Sequence, residues 1–121
     1  MSSAHTICRF SELPDPGSRA FSVGEGDWPL RGFLIRKGDE VFAYVNRCPH
    51  AGHPLNWEPP DDFLTQEKTL IMCRSHGALF EMNTGRCVAG PCAGKSLLAL
   101  RARVENDCVV LEIDQELDRL V

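Results

Sequence analysis

The sequence predicts an all-β scaffold interrupted by one long, loop-rich insert spanning roughly Asn46 to Ala89. Three observations carry this reading. Short runs rich in β-branched and aromatic residues fill the first half, a strictly alternating pair of segments lies near the end, and Asn46 to Pro60 shows no sustained periodicity of either kind.

Thr6 to Phe10, Ala20 to Val23, Gly32 to Arg36 and Val41 to Val45 are the predicted strands of the first half. They are separated by turn signals: Leu13-Pro-Asp-Pro-Gly17, Gly24-Glu-Gly-Asp-Trp-Pro29 and Lys37-Gly-Asp-Glu40, the last with the composition of a hairpin. After Val45, the stretch to Pro60 carries four prolines, two histidines and a cysteine, as expected of a functional loop. Thr69 to Met72 reads as a strand leading into a second irregular stretch, Cys73 to Phe80, with a turn at Asn83-Thr-Gly85. Leu98, Leu100, Ala102 and Val104 then alternate, Glu105-Asn-Asp107 turns, and Val109, Leu111 and Ile113 alternate with Cys108, Val110 and Glu112. The tail from Asp114 to Val121 is expected to add one helical turn or fray. The whole chain, 1 to 121, is read as a single domain, with residues 46 to 89 as the insert within the β scaffold.

Composition bounds the function. At 121 residues, 43% apolar and 25% charged, the chain suits an ordinary globular domain. Thirteen basic residues against seventeen acidic ones give a net charge of −4, which argues against a phosphate-binding surface and hence against nucleic acid as a partner. The N-terminus shows neither a signal nor a transit pattern, and no apolar run is long enough to cross a bilayer, so a cytoplasmic location without a membrane partner is expected. In that setting the six cysteines read as metal ligands and buried thiols rather than as a disulfide scaffold.

Spacing decides which cysteines are ligands. Cys48-Pro-His50 is followed, after a spacer of twenty-two residues, by Cys73-Arg-Ser-His76, so that two loops each offer one thiolate and one imidazole. A structural zinc ion also accepts two Cys and two His, but usually from C-x₂₋₄-C and H-x₃₋₅-H pairs. Mixed loops suit a two-iron cluster, in which one iron carries two thiolates and its neighbour two imidazoles.

Cys48-Pro-His50 and Cys73-Arg-Ser-His76-Gly-Ala-Leu-Phe80 resemble the two cluster-binding motifs of the Rieske family, specifically those of Rieske-type ferredoxins, over about residues 41 to 113. The resemblance implies an antiparallel β-sandwich with a cluster-binding subdomain. It also implies one 2Fe-2S cluster, with Cys48 and Cys73 on the inner iron and His50 and His76 on the outer one. Gly90-Pro91 is similar to the glycine-proline stretch that covers the cluster in that family. His53 is set aside as a ligand because the single residue between Cys48 and His50 matches the family. The implied function is one-electron transfer, ferredoxin-like, between a reductase and a terminal oxygenase, with no catalytic residues of its own. The alternatives are a small subunit of a larger reductase of the nitrite reductase type, or a non-redox zinc module on the same Cys2His2 set.

Neutral imidazoles in place of thiolates make a cluster less negative, and Rieske centres span about −150 to +300 mV against roughly −400 mV for plant-type ferredoxins. High-potential Rieske proteins of cytochrome bc complexes carry a serine and a tyrosine where this chain has Ala78 and Phe80, and a loop-tying disulfide where it has His53 and Ser75. Without those hydroxyls a midpoint near about −150 mV, within roughly 100 mV, is expected. The midpoint is also expected to fall as pH rises, because each ligand imidazole keeps a second ring nitrogen whose proton is held more weakly beside oxidised iron. Voltammetry from neutral to strongly alkaline pH checks this, and a flat profile argues against histidine ligands.

The remaining candidates are read more plainly. His5 is expected to be structural or exposed, Cys8 and Cys108 core residues, and Cys87 and Cys92 thiols without a disulfide. Gly90-Pro-Cys-Ala-Gly-Lys-Ser96 falls one residue short of a nucleotide-binding loop and precedes a strand rather than a helix. Trp57, Phe63 and the acidic Glu58, Asp61 and Asp62 read as a self-packed segment, with a partner-docking surface as the rival reading.

Overall fold

A computed structural model of the chain describes residues 2–24, 30–49, 54–56, 61–74, 77–92 and 94–114. Among these residues nine strands follow in order: β1 (Ser2–Arg9), β2 (Gly17–Val23), β3 (Leu30–Lys37), β4 (Glu40–Val45), β5 (Leu70–Met72), β6 (Leu79–Glu81), β7 (Cys87–Ala89), β8 (Ala99–Glu105) and β9 (Cys108–Asp114). Among the described residues the sole helical element is a 3₁₀ turn at Phe10–Glu12. The fold is therefore all-β and antiparallel, as expected.

The strands form two curled sheets, one of six strands in the order β1-β9-β8-β4-β3-β2 and one of three in the order β5-β6-β7. Turn chemistry sets the register of the larger sheet. Lys37 pairs with Glu40 across the two-residue turn Gly38-Asp39, where Gly38 holds φ +63°. Glu105 pairs with Cys108 across Asn106 and Asp107, at φ +48° and +62°, conformations that Asn and Asp tolerate better than most residues. β8 joins two neighbours, pairing through Ala99 and Leu100 with β4 and through Arg101 to Glu105 with β9.

Period-2 alternation along β3 and β4 feeds two separate cores. Leu34, Ala43 and Val45 join Leu13, Leu30, Leu100, Val109, Leu111 and Ile113 on one face. Phe33, Ile35 and Tyr44 point the other way, into a core shared with Leu55, Phe63, Leu64, Ile71, Phe80 and Met82. Both faces of β3 are thus covered, which is why Phe33-Leu-Ile35 reads as an unbroken apolar run. The second core joins the small sheet to the scaffold. The rings of Phe33 and Phe63 stack with centroids 4.2 Å apart and 12° between planes.

One reading changes in detail. Cys8 and Cys108 are half-buried rather than fully within the core, because they sit next to each other's strand partners on the edge ladder of β1 and β9, Cys8 opposite Val109 and Arg9 opposite Cys108. Phe63 is fully buried, in line with the self-packed reading of its segment. The expected turn at residues 25–29 and the tail at 115–121 lie outside the described residues.

Candidate metal centre

The first cysteine loop leaves β4 directly. Asn46 anchors it, since its side-chain amide donates to the Asn56 side-chain Oδ1 at 2.9 Å and its own side-chain oxygen accepts the Leu55 backbone N–H at 2.8 Å. Leu55 is fully buried and Cys48 is 1% exposed. The base of the loop is thus cross-braced over nine residues by one side chain, a use that polar turn residues serve through backbone competition.

The second loop leaves β5 and returns to β6. The Cys73 N–H donates to the Ala78 carbonyl and the Gly77 N–H to the Cys73 carbonyl, at 2.9 and 2.8 Å. The Arg74 N–H donates across to the Leu55 carbonyl at 2.8 Å, a backbone bond that ties the second loop to the first. Cys73 is completely buried. The Arg74 guanidinium binds the Asp62 carboxylate at 2.5 Å and also donates to the Leu64 carbonyl at 3.2 Å. That pair is partly exposed and contributes little to stability as an ion pair, but it fixes the outer wall of the loop.

A third segment closes over these two. The Cys87 N–H donates to the Lys95 carbonyl and the Lys95 N–H to the Cys92 carbonyl, each at 2.9 Å, so that Lys95 is tied to both Cys87 and Cys92. Gly90 adopts φ +98°, and a Cβ there would lie 2.8 Å from the Ala78 Cα. Glycine at this position therefore lets the covering turn rest on the second cysteine loop.

Cys48 and Cys73, two of the four expected ligands, belong to one buried cluster together with Cys87 and Cys92. Among the described residues no charged side chain is buried beside them, and none of the six cysteines is in a disulfide. Buried thiols in an otherwise apolar pocket are the soft donors that an iron-sulfur cluster requires. His50, His76 and the rejected alternative His53 lie outside the described residues.

Sequence reasoning left Cys92 as an ordinary buried thiol. Its Sγ donates to that of Cys87 at 3.1 Å. Burial, reinforced by the neighbouring Cys87 thiol, pushes the Cys92 thiol up to about 12. The only sequence signal was its place two residues after Gly90 in the covering turn. Asp61 and Asp62 are also committed internally: the Asp61 carboxylate accepts the Ala20 N–H at 2.9 Å and Asp62 holds Arg74. The rival reading of this segment as a docking surface therefore loses Phe63, which is fully buried, whereas Trp57 and Glu58 lie outside the described residues.

Tyr44 links scaffold and loops, its hydroxyl donating to the Met82 carbonyl at 2.9 Å. Burial, with a smaller contribution from the Glu81 carboxylate, pushes its phenol from 10.0 to about 12. The folded chain thus holds this proton more tightly than the unfolded chain. The resulting stability is complete below pH about 10 and is lost as pH rises to about 12, on the order of 2 to 3 kcal/mol. Tyr44→Phe is expected to remove that alkaline slope in denaturant unfolding; an unchanged slope would assign it to other groups.

With this geometry in place, comparison with known proteins defines the class. The family model of the Rieske [2Fe-2S] domain matches residues 3–111. The chain belongs to the Rieske [2Fe-2S] domain family, whose members carry one 2Fe-2S cluster and transfer single electrons through it. Among solved structures it is similar to the ferredoxin of carbazole 1,9a-dioxygenase from Nocardioides aromaticivorans IC177, with TM-score 0.70, 24% identity, and coverage of 90% of this chain and 96% of that one. A chain in the complex of reduced oxygenase and oxidized ferredoxin in carbazole 1,9a-dioxygenase matches with TM-score 0.66, 26% identity, and 89% and 91% coverage. The terminal oxygenase of carbazole 1,9a-dioxygenase from Novosphingobium sp. KA1 matches with TM-score 0.71 and 21% identity over 89% of this chain but 29% of its own length. A search of curated protein sequences finds no significant match. No helix among the described residues is long and apolar enough to cross a membrane.

Proposed function

We propose that Cys48, His50, Cys73 and His76 hold the cluster, the cysteines on the buried iron and the histidines on its neighbour, and that the chain is a ferredoxin-like component passing electrons to an oxygenase-type partner. The observation that carries this is the burial of Cys48 and Cys73 in one apolar cluster, on loops cross-tied by the Arg74 to Leu55 backbone bond. The likeness to a dioxygenase ferredoxin, over 90% of this chain and 96% of that one, supports the carrier reading. Residues 1 to 121 act as one domain, with 46 to 89 as the cluster-carrying insert, in the cytoplasm and without turnover of a substrate.

When bound, the cluster accepts and releases one electron. The chain's own residues set the conditions for that. Phe80 and Ala78, both fully buried, exclude water from the cysteine side and bring no hydroxyl to the sulfurs, which keeps the potential at the lower end of the family range.

Voltammetry and electron delivery test the reading. The midpoint is expected near about −150 mV, within roughly 100 mV, and a midpoint above zero contradicts it. The reduced protein is expected to be reoxidised by a Rieske oxygenase and to turn over no aromatic substrate alone; substrate turnover without an added oxygenase would overturn the carrier reading.

A further inference from the structure

We propose that Asp62 is a positioning residue for electron transfer: it holds the Arg74 guanidinium next to the second cysteine loop and cancels its charge there, which keeps the cluster potential low. The inference rests on Cys73 being a ligand, as proposed above.

Both partners of this pair are fixed from their own sides. The Ser18 hydroxyl, on the edge strand β2, donates to the Asp61 carbonyl at 2.7 Å and accepts the Phe63 N–H at 3.1 Å. One side chain thus clasps the backbone on either side of Asp62, and the Asp61 carboxylate adds its bond to the Ala20 N–H of the same strand. Arg74 is held through its backbone N–H by the Leu55 carbonyl, and through its guanidinium by the Leu64 carbonyl and by Asp62 at 2.5 Å. A surface ion pair between two loose side chains does little. Here the hydrogen bonds of both segments hold the two charges in one geometry. Among the described residues the other ion pairs, Arg103 with Glu105 and with Glu112, lie on β8 and β9.

Position gives the pair its effect. Arg74 follows Cys73 directly, so its guanidinium stays within roughly 10 Å of the Cys73 backbone, about one Debye length. Uptake of an electron makes the cluster more negative, and charge around a cluster is among the quantities that set its potential. A lone cation at Arg74 would favour the reduced state. Paired with Asp62, the same side chain keeps its hydrogen bonds and brings no net charge. Asp62 therefore acts through Arg74 and not on the iron.

The two partners should shift the potential in opposite directions. Asp62→Asn is expected to favour reduction by about twofold to tenfold, and Arg74→Gln to disfavour it by a similar factor, tenfold being 59 mV for one electron. The double variant is expected to return to the parent value. A loop that is merely loosened would move both single variants the same way, so the sign separates charge from packing. Glu105→Gln removes one negative charge on β8 and is expected to leave the potential unchanged.

The test is voltammetry of these four variants and the parent protein at low and high salt. Opposite shifts in Asp62→Asn and Arg74→Gln, cancelling in the double variant and shrinking with salt, are the expected result. Shifts of the same sign, no shift in Asp62→Asn, or an equal shift in Glu105→Gln overturns the proposal. Cys73→Ser is measured alongside by iron content and resonance Raman. An unchanged cluster and iron-thiolate spectrum in that variant overturns the ligand assignment instead, so the two failures are told apart.

Discussion

Phe63→Ala is expected to destabilise the protein by about 3 to 5 kcal/mol, the range for removing a fully buried aromatic ring. Phe63 is 0% exposed and stacks on Phe33 at 4.2 Å, where the small sheet meets the scaffold. Its carbonyl accepts the Met72 N–H at 2.9 Å, directly before Cys73. Losing the ring leaves a cavity beneath the second cysteine loop as well as removing the apolar contact. Denaturant unfolding followed by the visible absorbance of the cluster checks this. Cluster bleaching and unfolding should shift together, and a loss below about 1 kcal/mol would mean that the two sheets are joined elsewhere.

Gly90→Ala is expected to release the cluster faster. The added methyl meets the Ala78 Cα at 2.8 Å, and the backbone there sits at φ +98°, so the new residue suffers both a contact and a torsional penalty. Backbone strain of this kind costs about 1 to 3 kcal/mol, and each 1.36 kcal/mol is about a factor of ten in rate. Iron loss to a chelator is therefore expected to accelerate by about tenfold or more. Gly77→Ala provides the comparison, because at Gly77, with φ +71°, an added methyl would meet nothing within 4 Å and only the torsional penalty applies. Equal rates in the two variants would show that covering-turn contact at Ala78 plays no part in holding the cluster.

The long strands were legible because their side chains obey a period of two and their turns carry Gly, Asn and Asp where positive φ is needed. Lys37-Gly-Asp-Glu40 and Glu105-Asn-Asp107 both fall where the hairpins turn. The three-residue strands β6 and β7 were not legible, since three residues are too few to show a period and their pairing depends on the loops between them. Phe63 was legible as part of a self-packed segment, but its partner was not, because Phe33 lies 30 positions earlier in the chain and on another sheet. The spacing of Cys48, His50, Cys73 and His76 was legible as chemistry, whereas the approach of Cys92 to Cys87 follows from how the covering turn folds back on itself. No local pattern encodes that approach.

Quantifying iron and acid-labile sulfide in the purified chain, together with spin resonance before and after dithionite, tests the cluster assignment. Two irons and two sulfides per chain, coloured and silent when oxidised and paramagnetic after uptake of one electron, is the outcome required. A single colourless metal ion without sulfide would contradict it.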